Sequence, residues 1–292
     1  MSCNEKTSSL IIRIIAMIIL DKFLMMTGEI TMTFEKYIEA LDLAYISSFS
    51  KKVNTSWGCL FYNEDQPNYY DANHAHISSY THAYEEIIDE VISFYEEKQL
   101  VPRIYLTQYG GHEDFITTLK QKGFGFEEFD SPIQLWKTKV DIIKNPKVQI
   151  EKVTEENMQS AIDIECQIPE LGGTIRDKAF KEEFSQEAYT HYLLKYDGAP
   201  CSTACIFQHE NDARLESVAT LAEYRGKGLI SQLIHHIQED VLNRNIDRLW
   251  VMPINERVEN VYKKSGFETI ANVKVGHAYL GGKSIEDIRK GQ

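Results

Sequence analysis

Apolar residues return at helical spacing over 37–46 and again through Ile87, Ile88, Val91, Ile92 and Tyr95, which predicts helices at about 37–46 and 83–100. The stretch 51–76 between them lacks a period and reads as loop-rich. After Pro102 comes a strand-like run at 103–107, then a short helix at 113–122 that ends on Gly123, then an extended run through Trp136. Lys144-Asn145-Pro146-Lys147 is polar and carries a proline breaker, so a boundary is placed there. A strand at 148–153 follows, with a helix opened by Thr154 and the capping-type residues Glu155, Glu156 and Asn157 behind it. A helix at 178–189 leads to strands at 192–196, 201–208 and 214–221. A glycine turn at 225–230 then feeds a helix at 229–242, a strand at 248–252, a helix at 256–264 and final strands from Phe267 onward. That order implies an α/β (α+β) chain whose mixed, mostly antiparallel sheets hold a parallel central pair flanked by helices.

The two halves echo each other. Arg103-Ile104-Tyr105-Leu106 followed by Gly123-Phe124 matches Arg248-Leu249-Trp250-Val251 followed by Gly266-Phe267 at nearly the same separation, which suggests duplicated domains at 32–146 and 147–292. The glycine turn occurs only in the second. Residues 1–31 form an extension that holds the most apolar run of the chain, at 10–20. It is shorter than the about 20 residues a membrane helix needs and contains Arg13. Met32 is the expected start of translation, and a surface helix or weak membrane anchor is the other reading.

Composition changes this picture little. A hydrophobic share of 43% and a charged share of 26% fit packed globular structure. The net charge of −13 weighs against nucleic acid, which calls for a Lys/Arg surplus. The five cysteines show no disulfide or zinc-ribbon spacing, so a cytoplasmic protein is expected, with Cys201 and Cys205 as small core residues on one face of a strand.

Chemistry concentrates at the glycine turn. A strand running through Arg225-Gly226-Lys227-Gly228 into a helix leaves backbone N–H groups pointing at one place, where the helix dipole favours an anion such as a pyrophosphate. Gly226 and Gly228 keep side chains out of the way, and Arg225 and Lys227 add positive charge. The run 218–229 resembles motif A of the GNAT N-acetyltransferase superfamily, with Arg225 and Gly228 matched and Ile230 standing where the family usually has Gly or Ala. The run 255–267 resembles its motif B, with Asn255, Tyr262 and Gly266-Phe267 matched and Val258 in place of a common Ala. The resemblance covers about 148–280 and is faint in the later part of the first half.

That resemblance implies acetyl-CoA as co-substrate, no metal, and direct transfer of acetyl to a primary amine on a small molecule or peptide, by a monomer or homodimer without membrane attachment. It implies Tyr262 as general acid for the departing thiolate. Val218, Ala219 and Thr220 would bind the pantetheine and thioester through their backbones, the turn from Arg225 through Leu229 and Ile230 would hold the pyrophosphate, and Asn255 would position the pantetheine or hold the loop. Glu216 shares strand parity with Val218 and Thr220 and is the candidate base, directly or through water. His235 and His236, one packed and one exposed, take no catalytic part. Tyr69 through His76, rich in polar and aromatic groups, is expected to line the acceptor pocket; Asp71, His74 and His76 read as a hydrogen-bonded loop rather than a metal site. Two other readings stay open: a module that binds acyl-CoA without turnover, and a tandem-domain aminoacyl transferase.

Overall fold

The computed structural model describes residues 29–80, 83–107 and 109–289, with side chains from 37 to 288 within those spans. The chain divides into two units, Met1–Ala44 and Tyr45–Gln292. Among the described residues the first unit contributes most of helix α1 (Glu29–Ser47), which covers and extends the helix expected at 37–46. The apolar run at 10–20 lies outside the described residues. Among those described, no helix is long and apolar enough to cross a membrane.

In the second unit the strands are β1 (Lys51–Asn54), β2 (Gly58–Tyr62), β3 (His74–Ile77), β4 (Arg103–Thr107), β5 (Gly125–Trp136) and β6 (Val148–Lys152). They continue with β7 (Tyr189–Tyr196), β8 (Ala199–His209), β9 (Asp212–Thr220), β10 (Arg248–Val251) and β11 (Phe267–Tyr279). All join one 11-stranded sheet in the order β1-β2-β3-β4-β11-β5-β10-β9-β8-β7-β6. Its helices are α2 (Tyr84–Glu97), α3 (Glu113–Gln121), α4 (Met158–Glu165), α5 (Arg176–Phe184), α6 (Leu229–Asn243), α7 (Glu256–Lys264) and α8 (Ile285–Arg289).

Two parallel pairs, β3/β4 and β9/β10, are bridged by α2 and α6, and every other ladder is antiparallel. Each pair leads to a helix that ends on a left-handed glycine, Gly123 at φ +88° or Gly266 at φ +85°. The expected echo is therefore geometric as well as sequential. The closing strands, however, are exchanged. β11, from the second half, pairs with β4 and β5, while β5, from the first, pairs with β10 and β11. Two similar strands can pair with the same neighbours, so the exchange keeps the ladders and welds the expected pair of sheets into one.

Burial explains the helices. On α6, Leu229, Leu233, Ile234, Ile237 and Val241 form one apolar stripe that packs under Ala213, Leu215, Leu249 and Val251 of the central strands. Each such fully buried side chain is worth roughly 1.5–3 kcal/mol. Ile87, Ile88, Val91 and Tyr95 of α2 do the same beneath Ala75, Ile77, Ile104 and Leu106.

Several expectations need correction. The stretch 51–76 is not mainly loop: it holds β1, β2 and β3. All four residues of β3 are buried, so it lacks the alternation that betrays a one-sided strand. The helix assigned to Thr154 starts at Met158, because the Asn157 side chain folds back to accept from the Thr154 N–H at 2.7 Å. The helix expected at 178–189 is α5, which ends at Phe184; a turn follows, and Tyr189 already belongs to β7. Phe267 opens one continuous strand rather than several. A register shift opposite Leu194 and Lys195 puts Cys201 with Ala204 and Ile206, whereas Cys205 faces His191 and Glu183. The two cysteines are buried, as expected, but on opposite faces.

Candidate active site

The parallel pairing of β9 with β10 stops at Arg214 and Trp250, yet β9 runs on to Thr220. β10 ends one residue later, at Val251, so β9 outruns it. Val218, Ala219 and Thr220 lie on the overrunning segment, whose backbone edge toward β10 has no strand partner among the described residues. On its other side Ala219 remains paired with Thr203 of β8, and Ser202 Oγ donates to the Ala219 carbonyl at 2.6 Å.

The turn follows directly. Gly226 and Gly228 adopt φ of +78° and +73°, and Gly228 is the N-cap of α6. A Cβ at either would meet no protein atom within 4 Å, so the left-handed backbone is what demands glycine there. Among the described residues the N–H groups of Gly226, Lys227 and Gly228 donate to no carbonyl or side chain. They join the first N–H groups of α6, from Leu229 and Ile230 on, which an α-helix leaves unpaired. The Leu229 side chain is core and that of Ile230 is half-buried against it, so the Ile230 departure from the glycine-rich pattern is absorbed by packing. Arg225 does not reach forward: its Nε donates to the Thr220 carbonyl at 2.9 Å and clamps the turn to the strand end. Lys227 Nζ sits 4.7 Å from the ring centre of Tyr224 and 5.3 Å from that of Tyr196, holding its charge beside the turn. Neither tyrosine was singled out from the sequence, since their rings meet only through the fold.

Tyr262 is carried by α7, whose N-terminus is capped by Asn255; its Oδ1 accepts from the Val258 N–H at 2.9 Å. Asn255 thus holds the loop. The Tyr262 ring is buried against Phe267, with 5.7 Å between ring centres, while its hydroxyl makes no hydrogen bond among the described residues. Burial, with the charge of Glu216 adding, raises the Tyr262 pKa above its ordinary value, so the phenol is protonated at neutral pH.

Glu216 lies near this group, but not for the reason its spacing suggested. Ser217, at φ +49°, makes a bulge in β9, so that Thr203 pairs with Ala219 and Cys205 with Glu216. Parity breaks there. Glu216 shares its face with Ala219, not with Val218 and Thr220, and it forms an ion pair with Arg214 on the same strand. The Arg214 guanidinium also lies 4.4 Å from the ring centre of Tyr45.

On the Glu216 side an aromatic wall assembles from both halves. Tyr45 meets Phe207 at 5.5 Å and Phe49 at 5.0 Å, and Phe49 stacks on Tyr69 at 5.2 Å. The loop bearing Tyr69 is stapled by Asn73, whose side chain accepts from Asn63 and donates to the carbonyls of Gln66 and Tyr69. The loop is tied to α5 through Gln66 Nε2 to Glu182 at 2.5 Å and Lys178 to the Asp65 carbonyl. Asp71 accepts from Tyr105 at 3.1 Å, while His74 and His76 lie in β3 rather than in the loop. His235 is buried and His236 half-buried, both in the body of α6.

Residues 158–267 match the model of the Acetyltransferase (GNAT) family. The fold resembles a GCN5-related N-acetyltransferase from Kribbella flavida at 13% identity, with TM-score 0.65 and coverage of 86% of this chain and 97% of that one. It also resembles a functionally unknown conserved protein from Staphylococcus epidermidis at 10% identity, TM-score 0.64, covering 80% and 95%. A tandem GNAT protein from the clavulanic acid biosynthesis pathway aligns at 12% identity, TM-score 0.55, covering 79% and 82%. Identities this low speak for the fold alone. On the family match, the segment 158–267 is a domain of the GNAT acetyltransferase family.

Proposed function

We propose that the chain transfers acetyl from acetyl-CoA directly to a primary amine on a small molecule or peptide. The observation that carries this reading is that β9 outruns its partner β10 into a turn where, among the described residues, the amides of Gly226 to Gly228 are unpaired, with Tyr262 in the same core cluster as Leu229 at the start of the following helix. The turn amides and the start of α6 would hold the pyrophosphate, and the backbone of Val218, Ala219 and Thr220 the pantetheine arm. Glu216, or a water it orders, takes a proton from the acceptor ammonium so that the neutral amine attacks the thioester carbonyl, with Arg214 fixing the Glu216 carboxylate. Tyr262 delivers a proton to the departing thiolate, and its raised pKa keeps that proton available. No metal is assigned a part in this transfer. Residues 32–146 would serve as the partner domain, whose Tyr69 loop narrows the acceptor side. The described cysteines are all free, which suits a cytoplasmic protein acting as a monomer or homodimer.

Calorimetry with acetyl-CoA, followed by an amine panel scored for thiol release, tests the reading. Binding with amine-dependent release supports it. Binding without release from any amine favours the acyl-CoA-binding module, and transfer only from charged tRNA favours the aminoacyl transferase.

A further inference from the structure

Beneath α5, three buried side chains that acyl transfer leaves unused converge on one point. Glu183 sits in the last turn of α5, and His191 and Cys205 are register partners across β7 and β8. A carboxylate oxygen, a ring nitrogen and the sulfur all lie within 4.8 Å of one another. The residues are 2%, 4% and 0% exposed. Neither ring nitrogen of His191 has a hydrogen-bond partner among the described residues, although buried polar atoms ordinarily have one. Its Nε2 is 3.9 Å from Glu183 Oε2, beyond hydrogen-bond range. Phe180 packs on the imidazole with 4.1 Å between ring centres.

We propose that Glu183, His191 and Cys205 bind one divalent cation of the zinc class, with water in the fourth position. Carboxylate, imidazole and thiolate are the donors that such an ion takes. Bonds of ~2.0–2.3 Å place tetrahedral donors about 3.4–3.8 Å apart, so the three side chains close by about 1 Å. Arg176 donates to both oxygens of Glu183 at 2.8 Å and, through Nε, to Glu165 at 2.8 Å. It would orient the Glu183 carboxylate as an outer partner does, since each carboxylate oxygen keeps a second lone pair.

Charge favours the same conclusion. One guanidinium faces two carboxylates in a site closed to water, which leaves a negative charge uncompensated. A divalent cation with Cys205 as thiolate makes the whole buried set neutral. The site does not depend on the acetyl-transfer reading, because none of its donors belongs to the machinery proposed for it.

Because the site is closed, the metal is loaded during folding. The full chain is unfolded in guanidinium with chelator, refolded with or without Co(II) and desalted; expression in cobalt-supplemented medium replaces refolding where yields fail. One equivalent of bound cobalt is expected, with a thiolate-to-metal charge-transfer band and the visible bands of tetrahedral Co(II). The charge-transfer band disappears in Cys205→Ser and Cys205→Ala, and cobalt affinity falls at least about tenfold in Glu183→Gln. Zn(II)-loaded protein is expected to unfold at a higher guanidinium midpoint than the chelator-treated form. Natively folded wild type without the band, or with under a tenth of an equivalent of cobalt, overturns the site; so does a band that survives both cysteine substitutions.

Discussion

The parallel pair β3/β4 and the parallel pair β9/β10 are the same unit used twice, and three differences separate the first from the proposed site in the second. Aligned on their glycine endings, α3 places Leu119 where α7 places Tyr262, and Leu119 is wholly buried. Aligned on the parallel ladders, Ser78 stands where β9 has Glu216. Most telling is the strand itself. β3 stops where its pairing stops, and the N–H groups of Ser78 and Ser79 are both taken by the Trp57 carbonyl. β9 instead continues past its partner through a bulge into a turn of unpaired amides. A strand that ends in satisfied hydrogen bonds builds a wall, whereas one that outruns its neighbour leaves donors and acceptors for a ligand.

The sharpest way to break this comparison is at the tyrosine. Tyr262→Phe is expected to lower kcat by about 10²–10⁴-fold with acetyl-CoA affinity unchanged. Leu119→Tyr should add no turnover and cost ~1–3 kcal/mol in urea denaturation through overpacking. Turnover retained in Tyr262→Phe would remove the tyrosine from the differences between the halves.

Next in size is an acid weakness placed in the first half. Burial, with His76 adding, pushes His74 down to about 3, below its unfolded value of ~6.5. A group depressed on folding contributes stability that is present above ~6.5 and is lost as pH falls toward 3. Urea unfolding at pH 4.5 should therefore show a loss on the order of 2–3 kcal/mol from this group relative to pH 7.5. His74→Phe should flatten that slope; an unchanged slope would assign the acid sensitivity elsewhere.

Glu216→Gln is expected to lower kcat/KM by about 10–10²-fold near neutrality, less at higher pH where the acceptor amine is already neutral. A pH-independent loss would make Glu216 a positioning residue through its pair with Arg214. The smallest effect belongs to the turn. Gly228→Ala should cost about 1–2 kcal/mol for its left-handed backbone and weaken acetyl-CoA in calorimetry, whereas Gly123→Ala should cost stability alone.

The sequence by itself determined the local elements and the local chemistry. The stripe on α6, the left-handed glycines of the turn, the cap at Asn255 and the repeated strand–helix–Gly-Phe unit are all written within a few residues, because helix period, capping and φ are short-range properties. Tertiary structure decided what depends on pairing between distant segments. The strands within 51–76 escaped because none alternates: β1 is exposed along its length, β2 is buried at its three central residues and β3 is buried throughout. The face of Glu216 turned on one bulge at Ser217, which shifts parity without any pattern signal. The exchange of β5 and β11 left no trace either, since two similar strands can pair with the same neighbours. The meeting of Glu183, His191 and Cys205, and of Tyr45 with Arg214, follows from the register of β7, β8 and β9. What the glycine turn could bind was legible in its own residues; what stands opposite it was set by strands far away in the chain.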